Sequence, residues 1–278
     1  MEKCFVKLAL KDDAIFSSDF DASGQEQEVR NREYVANHAS RTEILTLVSQ
    51  HHSVPVMDRE VALFLKTIPY NGLILDVGGC WGWHWRNLGK QRPDVKVIIL
   101  DLVRPNLLKA KEFLSEQINL NVYLVHGNAV NLPFPDATFD GCWSVQTLQH
   151  IPSFDDAIAE THRVLKNGAY FANYSLNRNY LIEWLYKLLG RPFFICGQIE
   201  GQFFLERASP RQRKIVESIY GKDIKIRYSE VIFKPELGFT KNGRLDSFLG
   251  ILDSFLSGVP HVFKAIARQQ SFLVQKRQ

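Results

Sequence analysis

An open α/β sheet of mostly parallel strands is what this sequence predicts, and three observations carry it. Short apolar runs alternate with helical stretches from residue 73 onward. The run Leu73-Ile74-Leu75-Asp76-Val77 passes directly into Gly78-Gly79-Cys80-Trp81-Gly82, a buried strand entering a tight glycine turn. The next apolar run, 95–100, also ends on an acid, Asp101. Ligands of open α/β sheets sit beyond the carboxyl ends of the strands, so the turn and this acid mark one functional edge.

The elements follow in order. Residues 1–55 are polar and weakly periodic; 19–28 read as loop or disorder, and 41–50 as a short helix with Ile44, Leu45 and Leu47 on one side. A better helix spans 57–67, with Val61, Leu63, Phe64 and Leu65 available for burial, and Pro69 and Asn71-Gly72 close it. After the strand 73–77, a helix is predicted over 81–88, stopped by Gly89. The second strand, 95–100, leads to a helix over 106–116 with Leu107, Leu108 and Phe113 inward. The third strand, 122–125, runs into His126-Gly127-Asn128-Ala129, and 139–145 is the fourth. Ser153 reads as a helix cap, with Asp156 where a capping box would have Glu. That helix carries Ala157, Ile158, Val164 and Leu165 and ends at Asn167-Gly168, a left-handed cap signal. The fifth strand is 169–174. An apolar helix over 179–189, a helix over 210–220, a strand over 224–233, a helix over 245–256 and a last strand at 271–275 complete the chain.

Composition narrows the class. At 278 residues, 45% hydrophobic and 23% charged, the chain suits one large α/β domain with additions. It has no apolar run of about 18 residues and no basic-then-apolar leader at its start, which predicts a cytoplasmic protein without a transmembrane segment. Cys4, Cys80, Cys142 and Cys196 are scattered with no C-x-x-C pair, as in a reduced protein without structural zinc. The net charge of +4 is uneven: residues 1–175 hold 17 Lys/Arg and 21 Asp/Glu, whereas 176–278 hold 17 and 9. The basic final third is either a solvated surface or a face toward an anionic partner.

Which ligand the turn suits follows by spacing. There is no G-x-x-x-x-G-K-[ST] phosphate loop, and the dinucleotide pattern G-x-G-x-x-G would need glycine at Cys80 and Trp83. What remains is Asp76-x-Gly78-x-x-x-Gly82. Gly78 lets backbone approach a ligand, Gly82 lets the helix start tightly against the strand, and a carboxylate at Asp76 would meet a cation. Asp101 lies 23 positions beyond Gly78, where an acid accepts hydrogen bonds from a ribose diol; its alternative role is a helix cap. Asn128 ends the third strand, where it either addresses an adenine amine or serves turn chemistry.

Taken together, these segments resemble the class I S-adenosylmethionine-dependent methyltransferases, in particular the subgroup with quinone-biosynthesis and other small-molecule enzymes. Asp76-Val77-Gly78-Gly79-Cys80-Trp81-Gly82 is similar to that family's D-x-G-C-G-x-G motif. The stretch Leu132-Pro133-Phe134-Pro135-Asp136-Ala137-Thr138-Phe139-Asp140 resembles its L-P-F-x-D-x-S-F-D segment. Leu148-Gln149-His150-Ile151 and Arg163-Val164-Leu165-Lys166-Asn167-Gly168 resemble L-H-H-V and R-V-L-K-P-G.

The resemblance covers roughly residues 73–174 and implies a Rossmann-like, doubly wound sheet of seven strands. Their implied order is 3-2-1-4-5-7-6, with the last strand antiparallel. Residues 1–55 would be an N-terminal extension and cover, 56–278 the methyltransferase domain, and 176–208 a helical insertion on the acceptor side. Carried over by position, Asp76, Gly78, Gly79, Cys80 and Gly82 would hold the amino-acid end of S-adenosylmethionine. Asp101 would take its ribose, and Leu102, Asn128 and Ala129 its adenine. Ser144, Val145 and Gln146 would lie beneath its methionine portion. Two departures stand out: Cys80 replaces a glycine, so its φ is in question, and Asn128 replaces an acid.

A sulfonium donor is reactive enough that aligning the acceptor can carry most of catalysis; a hydroxyl acceptor also needs a base. His150 is the motif-placed candidate, with loop orientation as its alternative role. Tyr174 and Asn173 are candidates for lining the acceptor site. The adjacent His51 and His52 make a poor metal pair, and Trp81, Trp83 and Trp85 read as helix packing plus a wall near the cofactor. The apolar insertion helix with Phe193, Phe194, Phe203 and Phe204 would cover the site. These features, with the basic final third, predict a small-molecule acceptor with an apolar body and an anionic group: a quinone-like, lipid-linked or glycolipid precursor, some met at a membrane surface, or a secondary metabolite, rather than nucleic acid. The runners-up are a tRNA or other RNA methyltransferase, and a cofactor-binding module without turnover.

Overall fold

The computed structural model describes residues 8–10, 14–20, 26–38, 40, 43–178, 180–193, 196–199, 203–206, 210–234, 243–257 and 262–277. Its centre is a nine-stranded sheet. In chain order the strands are β1 (Ala9–Leu10), β2 (Ile15–Ser17), β3 (Leu73–Val77), β4 (Lys96–Asp101), β5 (Val122–His126), β6 (Phe139–Val145) and β7 (Leu165–Leu176). A separate hairpin, β8 (Cys196–Ile199) and β9 (Phe203–Glu206), follows, and then β10 (Ile224–Ser229) and β11 (Gln269–Gln275) return to the sheet. Across the sheet the order is β1-β2-β5-β4-β3-β6-β7-β11-β10, and β11 runs antiparallel to both its neighbours.

The seven expected strands are therefore present in the expected order. The count is corrected to nine, because β1 and β2 from the N-terminal extension add to the edge. β2 pairs parallel with β5, Phe16 opposite Val125, and the wholly buried Ile15 anchors it.

Both faces of the sheet are covered, which accounts for the near-continuous apolar strands. Leu75, Val77, Ile98, Leu100 and Cys142 face one core with Phe154, Ala157 and Ile158 of α6 (Phe154–Val164) and Val216 and Tyr220 of α8 (Pro210–Tyr220). The alternate residues Ile74, Val97, Ile99 and Trp143 face the other. That second core also takes Val61, Phe64 and Leu65 of α3 (Val54–Leu65) and Leu107 and Ala110 of α5 (Arg104–Phe113). Within residues 1–55, α1 (Glu26–His38) packs on α5, and α2 (Ile44–Ser49) buries Ile44 and Val48. The remaining helices are α4 (Leu88–Gln91), α7 (Tyr180–Leu188) and α9 (Gly243–Leu256), the last packed against α3.

Three local expectations are corrected. The helix over 81–88 is instead a 3-10 turn, Trp83–Trp85, and the short α4, which contains Gly89. Gly82 explains the break: its φ is +67°, and a Cβ there would lie 2.7 Å from Leu114 and 2.8 Å from Ile99. Ser153 precedes α6 but makes no side-chain cap bond. Gly168 does not end a helix; α6 stops at Val164, and Gly168 lies inside β7 with its N–H on the Lys276 carbonyl. The insertion helix α7 buries Ile182, while Leu181, Trp184 and Leu188 are exposed.

Candidate functional site

The carboxyl ends of β3, β4, β5 and β6 converge on one cavity of about 470 Å³. Its floor is the turn after β3. The Gly78 N–H donates to the Leu100 carbonyl at 2.7 Å, which ties the turn to β4. Gly78 has φ +70°, and a Cβ there would stand 2.1 Å from Cγ2 of Thr147, whose hydroxyl donates to the Gly78 carbonyl at 3.0 Å. Gly78→Ala is expected to destabilise the fold by about 2–3 kcal/mol, from left-handed backbone and overlap combined; urea unfolding measures it.

Cys80 resolves the question its substitution raised. It adopts φ +51°, and its N–H donates to Oδ2 of Asp101 at 2.9 Å, so a charged acceptor stabilises a conformation that L-residues seldom take. Burial, with Asp101 beside it, pushes the thiol up to about 12, and it stays protonated.

Asp101 organises the second strand end. Besides Cys80, it accepts the Val103 N–H at 2.8 Å and the Asn106 amide at 3.3 Å on Oδ1. Asn106 in turn accepts the Trp81 indole N–H at 3.2 Å. Burial raises the Asp101 carboxyl above its usual range, against these bonds and the nearby Arg32. At the third strand end, Asn128 uses Oδ1 to accept the Val130 N–H at 3.3 Å. Leu102, Asn128, Ala129, Val145 and Gln146 all reach the cavity wall, as do Gly78, Gly79, Cys80 and Asp101.

Three of the expected cofactor residues do not line the cavity. Asp76 lies beneath the turn, 1% exposed, accepting the Trp85 indole N–H at 2.6 Å. Burial holds its carboxyl at about 7 despite that bond. The chain wraps over it closely: a Cβ on Gly79 would fall 2.3 Å from Asp76 Oδ2. Ser144 is buried with its hydroxyl donating to the Val77 carbonyl at 3.0 Å, and Gly82 packs toward α5.

His150 is on the wall. The Gln149 amide meets its Nε2 at 3.2 Å, while Gln149 Oε1 accepts the Leu176 N–H at 2.8 Å. With that amide donating, the neutral ring carries its proton on Nδ1. Tyr174 and Asn173 do not line the cavity. The Tyr174 hydroxyl donates instead to Glu60 Oε2 at 2.8 Å, and Glu60 also pairs with Arg227 at 3.1 Å. Of the expected lid, Phe193 packs edge-on to Tyr186; Phe194 and the side chains of Phe203 and Phe204 lie outside the described residues. The β9 strand itself runs beside the 3-10 turn Leu148–His150.

Sequence reasoning missed much of the upper wall: Arg32 and Val35 from α1, and Leu47, Val48, His51 and His52 from α2 and its end. Trp81 and Trp83 are there as a wall, joined by His84. The adjacent His51 and His52 closing an apolar helix were a signal, weighed only as metal ligands. Among the described residues, no group of three His, Cys, Asp or Glu suits a metal ion.

With the site in view, the comparisons are specific. Residues 75–173 match the family model described as "Methyltransferase domain". The chain is 34% identical to a demethylmenaquinone methyltransferase of Listeria monocytogenes over 52% of this chain and 62% of the relative. It is 35% identical to a sterol 24-C-methyltransferase of Eremothecium gossypii over 39% of this chain and 30% of the relative. The chain thus spans less than two thirds of these curated relatives. A Thermotoga maritima structure, described as a SAM-dependent methyltransferase and possible histamine N-methyltransferase, superposes with a TM-score of 0.57 at 15% identity. It covers 91% of this chain and 99% of that one, and shares the fold.

Proposed function

We propose that this chain, whose residues 75–173 match a methyltransferase domain, is a class I S-adenosylmethionine-dependent methyltransferase that moves a methyl group from that cofactor to a small-molecule acceptor. The observation that carries the reading is the meeting of Cys80, Asp101 and Asn128 at one cavity over a glycine turn. The cavity fits an adenosyl sulfonium: bare backbone at Gly78–Gly79 for the amino-acid end, a carboxylate at Asp101 for a diol, and an amide at Asn128 for a purine amine. Bound there, S-adenosylmethionine supplies an electrophilic methyl group.

The chain's own residues do the rest. Gly78, Gly79 and Cys80 receive the amino-acid end, and Asp76 beneath them faces its positive charge through the turn, with Gly82 allowing the tight bend. Asp101 holds the ribose; Leu102, Asn128 and Ala129 hold the base; Val145 and Gln146, backed by Ser144, support the methionine portion. His150 faces the acceptor as a positioning donor, since acting as base at Nε2 would mean breaking its contact with Gln149. Residues 1–55 act as the cover, and 176–208 as an acceptor-side insertion on the domain 56–278.

An acceptor with an apolar body is supported by the apolar wall of Val35, Leu47, Val48, Trp83 and Ile151. The exposed apolar side chains of α7 and α9, Trp184, Leu188, Phe248 and Phe255 among them, on a basic C-terminal third, support encounter at a lipid surface. No helix among the described residues is long and apolar enough to cross a membrane.

Calorimetry is expected to show S-adenosylmethionine and its demethylated product each binding one site. Absence of binding by the wild-type chain overturns the reading. Labelled methyl from the cofactor is expected in the solvent-extractable fraction of a cell extract. Label removed by ribonuclease assigns an RNA acceptor instead.

A further inference from the structure

We propose that His52, Trp83 and His84 form the acceptor subsite, taking a planar ring against Trp83 and hydrogen-bonding a hydroxyl or carbonyl group on that ring through the imidazoles. This inference rests on the methyl-transfer reading and names the acceptor class for the same cavity.

Three observations carry it. First, the three rings are neighbours on the cavity wall, with His52 tilted at 43° to Trp83. Trp83 and His84 stack with centroids 3.9 Å apart and planes inclined by 30°, and the His52 centroid lies 5.7 Å from Trp83. Second, the imidazoles have unmet polar atoms. His84 is 7% exposed, yet neither of its ring nitrogens has a hydrogen-bond partner, and Nδ1 of His52 has none. Buried donors and acceptors are nearly always satisfied, and an orphaned one is costly. Three such atoms beside one cavity are what a polar ligand group would satisfy once it displaces the rings slightly. Third, the cofactor contacts proposed above lie at the β3, β4 and β5 ends and leave this wall uncovered.

The electrostatics fit a neutral guest. Burial lowers His84 to about 3 and takes His52 well below its ordinary value, with Arg268 adding to the effect on His52. Both rings are therefore neutral at physiological pH, each with one N–H and one lone pair, and can meet either a hydroxyl or a carbonyl. His52 is also held from behind. The Ser53 N–H donates to Oε1 of the buried Glu230 at 2.8 Å, and Glu230 Oε2 pairs with Arg268 at 2.8 Å. A carboxylate 177 residues away thus fixes the corner that presents His52.

The test uses 2-naphthol and naphthalene as probes on the full chain saturated with S-adenosylhomocysteine, with affinity read from tryptophan fluorescence. Wild type is expected to bind 2-naphthol at least tenfold more tightly than naphthalene. His84→Phe keeps the stacked ring but removes its nitrogens and is expected to erase that preference; His52→Phe, nearer the rim, is expected to reduce it at least threefold. Calorimetric affinity for S-adenosylhomocysteine should remain at the wild-type value in both. Equal binding of the two probes by wild type, or a preference that survives both substitutions, overturns the subsite. Failure of wild type to bind S-adenosylhomocysteine overturns the methyl-transfer reading itself, a separate outcome measured before any probe is added.

Discussion

Asp101→Ala is expected to remove much of the cofactor affinity and to destabilise the fold together. The carboxylate accepts from Cys80 and Val103 N–H at 2.9 and 2.8 Å and from the Asn106 amide at 3.3 Å, in a site 6% exposed. Truncation leaves those donors without an acceptor, and each orphaned buried donor costs about 1–3 kcal/mol. Cys80 would also lose the bond that stabilises its φ of +51°, so the turn over which the ligand lies should relax. A stability loss of about 2–4 kcal/mol in urea unfolding is expected on these grounds. A rise in Kd for S-adenosylmethionine of about 10- to 100-fold should accompany it, equivalent to about 1–3 kcal/mol. Asp101→Asn keeps one acceptor oxygen and should fall between. Wild-type affinity in Asp101→Ala would remove Asp101 from the ligand site and leave it only the turn to hold.

That dual role was half visible in the sequence. An acid at the end of a parallel strand is strand-end chemistry, set by local pattern, and so Asp101 and Asn128 were legible. That Asp101 also anchors the turn through Cys80 was not, because the contact joins two strand ends 21 residues apart. The broken helix after β3 was written in the sequence and misread: Trp81, Trp83 and Trp85 recur every second residue, and a helix would send them to different faces. All three are buried, as the turn allows. Gly168 shows the reverse, a sound local cap signal overridden when β11 and Lys276 offered sheet partners. The two edge strands were hidden by brevity, since β2 buries only Ile15 among its three residues. The upper wall depends on α1 packing across α5, which has no local signature, and so Arg32 entered only with the structure, as did the place of His51 and His52 on the wall.

Asp76→Asn is expected to change how stability depends on pH. Burial holds the Asp76 carboxyl at about 7 in the folded chain, against an ordinary value of 3.8. Between those values the folded state binds more protons than the unfolded state, so the Asp76 contribution is fully present below about 3.8 and is lost as pH rises to about 7. At about 1.4 kcal/mol per unit, the loss reaches at most about 4 kcal/mol. His84, depressed to about 3 from 6.5, works in the opposite direction: its contribution is present above pH 6.5 and is lost as pH falls. The wild-type curve therefore sums opposed slopes, and the difference between variant and wild type is the quantity to read. Asparagine is neutral throughout and still offers an oxygen to the Trp85 indole. Its stability relative to wild type should climb in its favour from about pH 4 to about pH 7 and then level off, as read from urea midpoints. Parallel curves would mean that the 2.6 Å bond from Trp85 keeps Asp76 ionised across the range. A cation held over the turn would have the same effect on protonation as that bond. Affinity for S-adenosylmethionine should then rise from pH 5 to pH 8 in wild type, and this component of the rise should be absent from Asp76→Asn.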